Sequence, residues 1–203
     1  MKKTSLIILS LFAVFTLFAV AGKLHTDTYK VDVKQSSMQW FAEKVGGKHN
    51  GTILLKGGNV SNNHGLLSGM LEIDMTTIVN TDIENETYKA KLENHLKSAD
   101  FFDVTKFPTS KFVVKSIVAL TETKTGGPTH RVTGDLTLKD KTNSISFDGI
   151  VKLLSDKITV SGSAIVDRSK FNVKYGSKSF FADIGDKMIY DDFTLRFNIV
   201  AVK

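Results

Sequence analysis

The chain has 203 residues, 41% of them hydrophobic, a net charge of +6 and no cysteine. That length fits one domain, and the missing thiols exclude disulfides, thiolate metal sites, a cysteine nucleophile and a lipoprotein anchor cysteine. The basic excess is dispersed, with no long Lys/Arg run, so it reads as a solvated surface and not as a nucleic-acid footprint.

Residues 1–21 read as a targeting segment. Lys2 and Lys3 form a positive start, and Leu6 to Val20 is apolar except for Ser10 and Thr16. Ala19-Val20-Ala21 fits a small-x-small cleavage site before Gly22. The rival reading, an uncleaved anchor, meets an apolar run that is short for a ~20-residue span. The expectation is an exported bacterial protein, periplasmic or secreted, whose mature part, residues 22–203, carries a charge of +4 once Lys2 and Lys3 are gone.

The mature chain alternates with period two along segment after segment. Tyr29 to Val33 and Thr52 to Lys56 read as strands. Met38, Trp40 and Ala42 oppose Gln39 and Glu43; Leu71, Ile73 and Met75 oppose Glu72, Asp74 and Thr76. Phe112, Val114 and Val118 oppose Lys111 and Lys115, and Val132, Leu136 and Leu138 oppose Arg131, Thr133, Asp135 and Thr137. Ile145, Phe147, Val151 and Leu153, then Ile158, Val160, Ala164 and Val166, then Phe193, Leu195, Phe197 and Ile199 repeat the pattern. One apolar face and one wet face per strand is the antiparallel signature. Gly57-Gly58-Asn59, the Ser61 to Gly65 run, Thr125-Gly126-Gly127-Pro128 and Asp140 to Asn143 supply turn chemistry between strands. About eight or nine strands joined this way form a meander, and closing it into a barrel hides both edges.

One helix interrupts the meander. Thr81-Asp82-Ile83-Glu84 fits a capping box, and Tyr88, Leu92 and Leu96 follow on one stripe. The helix leads into an aromatic turn in which Phe101, Phe102, Phe107 and Phe112 fall within twelve residues. Phe107 precedes Pro108 and is pushed towards extended geometry. Phe101, Phe102 and Phe107 are expected to cover one mouth of the barrel.

Catalytic patterns are weak. The five histidines form no HxH or HxxxH spacing, so no metal site is expected. No Gly-x-Ser-x-Gly elbow occurs, and Gly46-Gly47 and Gly57-Gly58 lack the helix and lysine of a phosphate loop. What remains is the apolar inner face. A barrel of about eight strands is either filled by side chains or holds one small ligand. Small inward residues (Gly69, Ser116, Gly134, Gly149, Gly162, Ala164) leave volume that Trp40, Phe147 and Phe197 can fill. An apolar cavity with few polar groups suits a lipid tail.

Several blocks, in order, resemble the YceI-like family of exported bacterial proteins. They are Trp40 with Lys44 to Gly51; Ile73-Asp74-Met75 with Ile78; and His95-Leu96-Lys97-Ser98 with Asp100 to Val104 and Phe107-Pro108-Thr109. Val132 to Leu138, Asp167 to Phe171 and Gly185-Asp186 complete the set, so that the likeness spans about Tyr29 to Val202. The chain departs from the family at Lys139-Asp140-Lys141-Thr142, where a His-Gly or Lys-Gly turn is usual. The resemblance implies an all-β fold with one flanking helix: an extended, lipocalin-like, antiparallel up-and-down β-barrel of about eight strands. It also implies a channel for polyisoprenoids or related long-chain lipids, quinone-type molecules included.

On this reading the chain is no enzyme and requires no cofactor beyond such a bound lipid. It sequesters or carries a long-chain amphiphile in the cell envelope, with transient membrane contact. Trp40, Leu71, Ile73, Phe112, Val114, Leu136, Phe147, Val160, Phe197 and Ile199 are the expected lining. Arg168 and Lys170 are candidates for a head group, with an Asp167–Arg168 structural ion pair the preferred alternative. A ligand-free envelope interaction module and an enzyme acting on isoprenoid lipids are the rival readings. The sequence leaves the oligomeric state open, a homodimer included.

Overall fold

The computed structural model describes residues 26–203; the targeting segment read at residues 1–21 lies outside them. Nine strands and one helix follow in order: β1 (Thr26–Val31), β2 (Ser37–Lys44), β3 (Gly47–Asn63), β4 (Leu66–Asn80), α1 (Glu86–Lys97), β5 (Thr109–Ala119), β6 (His130–Leu138), β7 (Lys141–Leu153), β8 (Lys157–Asp167) and β9 (Ile189–Val202). Every pairing is antiparallel, and β3 to β9 run up and down in sequence order.

β1 and β2 occupy one position. β1 pairs with the far half of β3 and the end of β9, whereas β2 pairs with the near half of β3 and the start of β9. They are a single stave broken at residues 32–36. There Asp32 accepts from the amides of Lys34 and Gln35 and interrupts the ladder with a side-chain-capped turn. The result is an eight-stranded closed antiparallel barrel with one helix, and closure leaves no sheet edge unpaired. At ~3.3 Å per residue, the 17 residues of β3 give a tall barrel.

Two expectations need correction. Gly57-Gly58 is not a turn. It lies inside β3 where the register with β4 slips; Gly58 has φ +151 and a Cβ there would strike the Met70 carbonyl oxygen, so a bulge bends the long strand. In β5 the register with β6 also slips between Val114 and Ser116. One extra residue swaps the two faces beyond it. Ile117 therefore faces the core, whereas Ser116 is exposed and Val118 is 59% exposed.

The helix starts later than the capping-box pattern predicts. Asn85 is the N-cap, accepting from the amides of Thr87 and Tyr88. Thr81 and Asp82 bond instead to Asn50 on β3, a partner no local pattern reveals. With the start displaced, Tyr88 is 66% exposed, and only the later part of the stripe, ending in Leu96, meets the core.

The barrel core is continuous. Val132, Ile158, Val166, Phe171 and Val173 are almost fully buried, each side chain contributing ~1.5–3 kcal/mol by leaving water. The ends of the barrel differ. One carries tight turns and the 120–129 loop. The other carries α1, the 98–108 turn and the 168–188 connection.

Candidate functional site

The alternation that closes the barrel also makes its interior apolar, and two chambers lie there end to end. The first, about 90 Å³, sits under the helix end. The second, about 80 Å³, fills the half towards the tight turns. Met38, Ile73, Leu136 and Leu195 line both, so these four side chains form a waist between them.

All ten residues expected as lining face one chamber or the other. Trp40 borders the first; Ile73 and Leu136 border both; Leu71, Phe112, Val114, Phe147, Val160, Phe197 and Ile199 border the second. The aromatic rings nest over small residues. Phe112 covers Gly134, Phe147 covers Gly149, and Phe197 faces Gly162 across the β8–β9 ladder. Phe147 in turn meets Phe112 at 6.0 Å and Phe197 at 5.0 Å between ring centres. The inward glycines thus accept rings and do not simply leave space. The bounding residues Met38, Leu195, Phe193 and Ile117 were not singled out from the sequence. Three of them stood on the same period-two faces; Ile117 was hidden by the bulge.

The aromatic turn closes the helix end. Phe101 is buried and, with Phe102, lines the first chamber. Phe101 and Phe102 meet edge to face at 5.1 Å, and the His95 ring stands edge-on to Phe101 and to Tyr175. Phe107 does not belong to this cover. It lies beyond the chamber lining, where the Lys106 ammonium sits 5.2 Å from its ring.

Arg168 is the cationic side chain of the first chamber, 2% exposed and stacked 5.4 Å from Phe101. Its guanidinium donates to the carbonyls of Val173, Tyr175, Ile189 and Tyr190, and Asp191 Oδ1 lies 3.3 Å from Nη2. Four of the five N–H donors of the guanidinium are thus taken by carbonyls, and Asp191 stands beside Nη2 as its counter-charge without a hydrogen bond to Oδ1. The expected Asp167–Arg168 pair is replaced by Arg168–Asp191. Asp167 instead caps the short 3-10 turn Arg168–Phe171 through Ser169, and the exposed Lys170 lies 3.9 Å from it. Burial pulls the Arg168 pKa down, against the opposing pull of Asp191 and Asp167. Burial also works to raise the Asp191 pKa. Hydrogen bonds from Ser177 and Ser179 and the Arg168 charge outweigh it, and the net direction is down.

His49 and its neighbours staple the helix connection to the barrel. His49 Nδ1 lies 2.8 Å from Asp82 Oδ2, the Asn50 amide donates to Asp82 Oδ1, and buried Asn80 donates to both Asp82 and the Asn50 carbonyl. Here too burial raises the Asp82 pKa and the hydrogen bonds from Asn50, His49 and Asn80 prevail, lowering it. Among the described residues, no group of three His, Cys, Asp or Glu side chains is placed to hold a metal ion.

The YceI-like domain family matches residues 29–201. The chain belongs to the YceI-like family. A UPF0312 protein of Pseudomonas putida strain F1 is 43% identical over 58 residues, covering 29% of this chain and 28% of that one. The curated relatives are matched over less than half of their length. The YceI-like barrel is also that of Burkholderia cenocepacia BcnA, at a TM-score of 0.63 and 23% identity over 85% of this chain and 99% of that one. A polyisoprenoid binding domain from Saccharophagus degradans, described as implicated in plant cell wall breakdown, shares the fold at a TM-score of 0.59 and 12% identity. That match covers 86% of this chain and 97% of the other. Identities this low speak for the fold alone.

Proposed function

We propose that this YceI-like chain sequesters or carries a long-chain amphiphile, its tail lying along the barrel axis through both chambers. The observation that carries the reading is the pair of apolar chambers meeting at a waist of four apolar side chains. An apolar tail gains ~25 cal/mol for each Å² removed from water. Each chamber is smaller than the ~150 Å³ cavity that holds a benzene ring. A polyisoprenoid, prenyl quinone or fatty-acyl tail therefore enters by turning the waist side chains aside, and Met38, an unbranched thioether, adapts most readily. The polyisoprenoid binding domain of S. degradans, built on the same fold, supports the ligand class. Arg168, already held by four carbonyls and neutralised by Asp191, favours a polar head that stays outside the chamber, and no catalytic or cofactor chemistry is needed for this task. The sequence of residues 1–21 fits an export signal, which supports a carrier that works in the periplasm or outside the cell.

Native mass spectrometry of the protein purified from its own envelope, followed by organic extraction, tests the reading. The expected result is a stoichiometric adduct with a prenyl or long acyl mass. A clean apo mass, with no uptake of added prenyl quinones, would overturn it.

A further inference from the structure

Outside the aromatic cover lies a third concavity, different from the two chambers. It is an open groove of about 410 Å³ lined by Asp100, Lys174, Tyr175, Gly176, Phe181, Ile184 and Lys187. Tyr175 joins it to the barrel, since its ring stands against His95 at 4.3 Å and near Phe101 at 6.3 Å, the residue that closes the first chamber. The groove and the apolar chamber are thus two sides of one aromatic partition.

The chain beside the groove shows large apolar rings to water. Phe180 is 40%, Phe181 51% and Tyr175 46% exposed. Such rings are ordinarily inside, and a cluster of them marks a contact surface. These rings are held out on a braced loop. Arg168 ties the carbonyls of Val173 and Tyr175 to those of Ile189 and Tyr190 at the loop's base. The buried Ser177 carbonyl accepts from the amides of Phe180 and Phe181, and Ser179 donates to Asp191. The Lys174 ammonium lies 5.3 Å from the Phe180 ring.

We infer that this loop is a membrane-docking face. Phe180 and Phe181 enter the interfacial layer of a phospholipid bilayer, and Lys174 and Lys187 take an anionic lipid phosphate in the groove. Aromatic rings beside lysines suit that layer, where one side is apolar and the other wet and negatively charged. Lys178 lies on the same exposed loop, but Asp183 and Asp186, also exposed there, outnumber it, so the pull on an anion is that of the groove, where two lysines face one acid. Asp100 is the acid of the groove itself and opposes an anion. Docking rests on the carrier reading for its purpose. It sets the bilayer, the store of the insoluble ligand, against the partition that closes the first chamber.

Flotation with vesicles of phosphatidylethanolamine and phosphatidylglycerol, compared with phosphatidylcholine alone, tests the face. The mature chain is expected to float with the anionic vesicles and to be released by salt. The Lys174→Gln/Lys187→Gln variant should bind roughly thirtyfold more weakly, at about fivefold per lysine. The Phe180→Ser/Phe181→Ser variant should lose binding at any salt, and Asp100→Asn should bind more tightly. Urea unfolding checks that each variant is folded. Wild-type binding equal on both vesicle types, or unchanged in the phenylalanine variant, would overturn the docking. So would a phenylalanine variant that loses self-association in gel filtration while still binding vesicles, since the face would then join two copies. A chain that takes up a detergent-dispersed prenol yet ignores vesicles overturns docking and spares the carrier reading. One that docks and takes up no prenol does the reverse.

Discussion

Trp40 faces Gly51 across the β2–β3 ladder, and its indole fills the volume that a side chain at position 51 would need. A Cβ there would come within 2.7 Å of two ring carbons and would strike the Val79 carbonyl oxygen. That carbonyl is the acceptor of the indole N–H at 3.2 Å. The glycine therefore positions the chain's one tryptophan as a wall of the first chamber. Gly51→Ala is expected to cost about 1–3 kcal/mol, the usual range for overpacking, and to shift Trp40 fluorescence. Urea unfolding followed by that fluorescence measures both. An unchanged midpoint and spectrum would show that the ring has room to move.

The waist makes a prediction about chain length. Leu136 is 4% exposed and borders both chambers. Leu136→Trp places extra volume where the two chambers meet. The variant should still bind a short prenol and lose the long ones, while wild type binds both. Its own overpacking is expected to cost about 1–3 kcal/mol, so binding is compared well below the unfolding midpoint. Equal loss of short and long chains would mean that the tail does not pass the waist.

Period two sufficed to read the strands and their apolar face, because a half-buried strand shows its two faces directly in the residue order; the closed barrel followed from the need to hide the edges and from the family resemblance. The same rule fails beyond Val114, where a bulge shifts the phase and turns Ile117 inwards in place of Ser116. No residue type announces that slip. The break that divides β1 from β2 is likewise set by one side chain, Asp32, folding back on local amides. The cover over the first chamber was legible at Phe101 and Phe102, since dense aromatics in a turn must be buried somewhere. Phe107 shared that pattern and lies elsewhere. The Arg168 partners were hidden because a guanidinium that binds four carbonyls leaves no mark on those residues' identities.

Arg168 fixes both ends of the 173–191 connection, and its removal is correspondingly costly. Arg168→Met leaves four buried or part-buried carbonyls without this donor and Asp191 without its counter-charge. Breaking a buried pair this way costs about 3–5 kcal/mol. Arg168→Lys should recover little, because an ammonium cannot reproduce the planar fork. Hydrogen exchange should show the amides of 173–191 losing protection first in both variants. Uniform loss over the barrel, or full rescue by lysine, would refute the clamp.

The acid limb of stability should report two carboxylates. Asp82 and Asp191 both have pKa values below the ordinary 3.8, as the hydrogen bonds they accept outweigh their burial. A group whose folded pKa is depressed binds fewer protons folded than unfolded, so its stabilisation is complete above the unfolded value and is lost as pH falls through the folded one. Stability is therefore expected to be level above about pH 5 as far as these groups are concerned, and to fall steeply below about pH 4. Asp82→Asn keeps the shape of the staple at His49 and Asn50 without the titrating charge. It should lower stability at neutral pH and flatten the acid limb. Urea midpoints measured across the acid range decide it. An acid limb as steep in Asp82→Asn as in wild type would assign the sensitivity to other carboxylates.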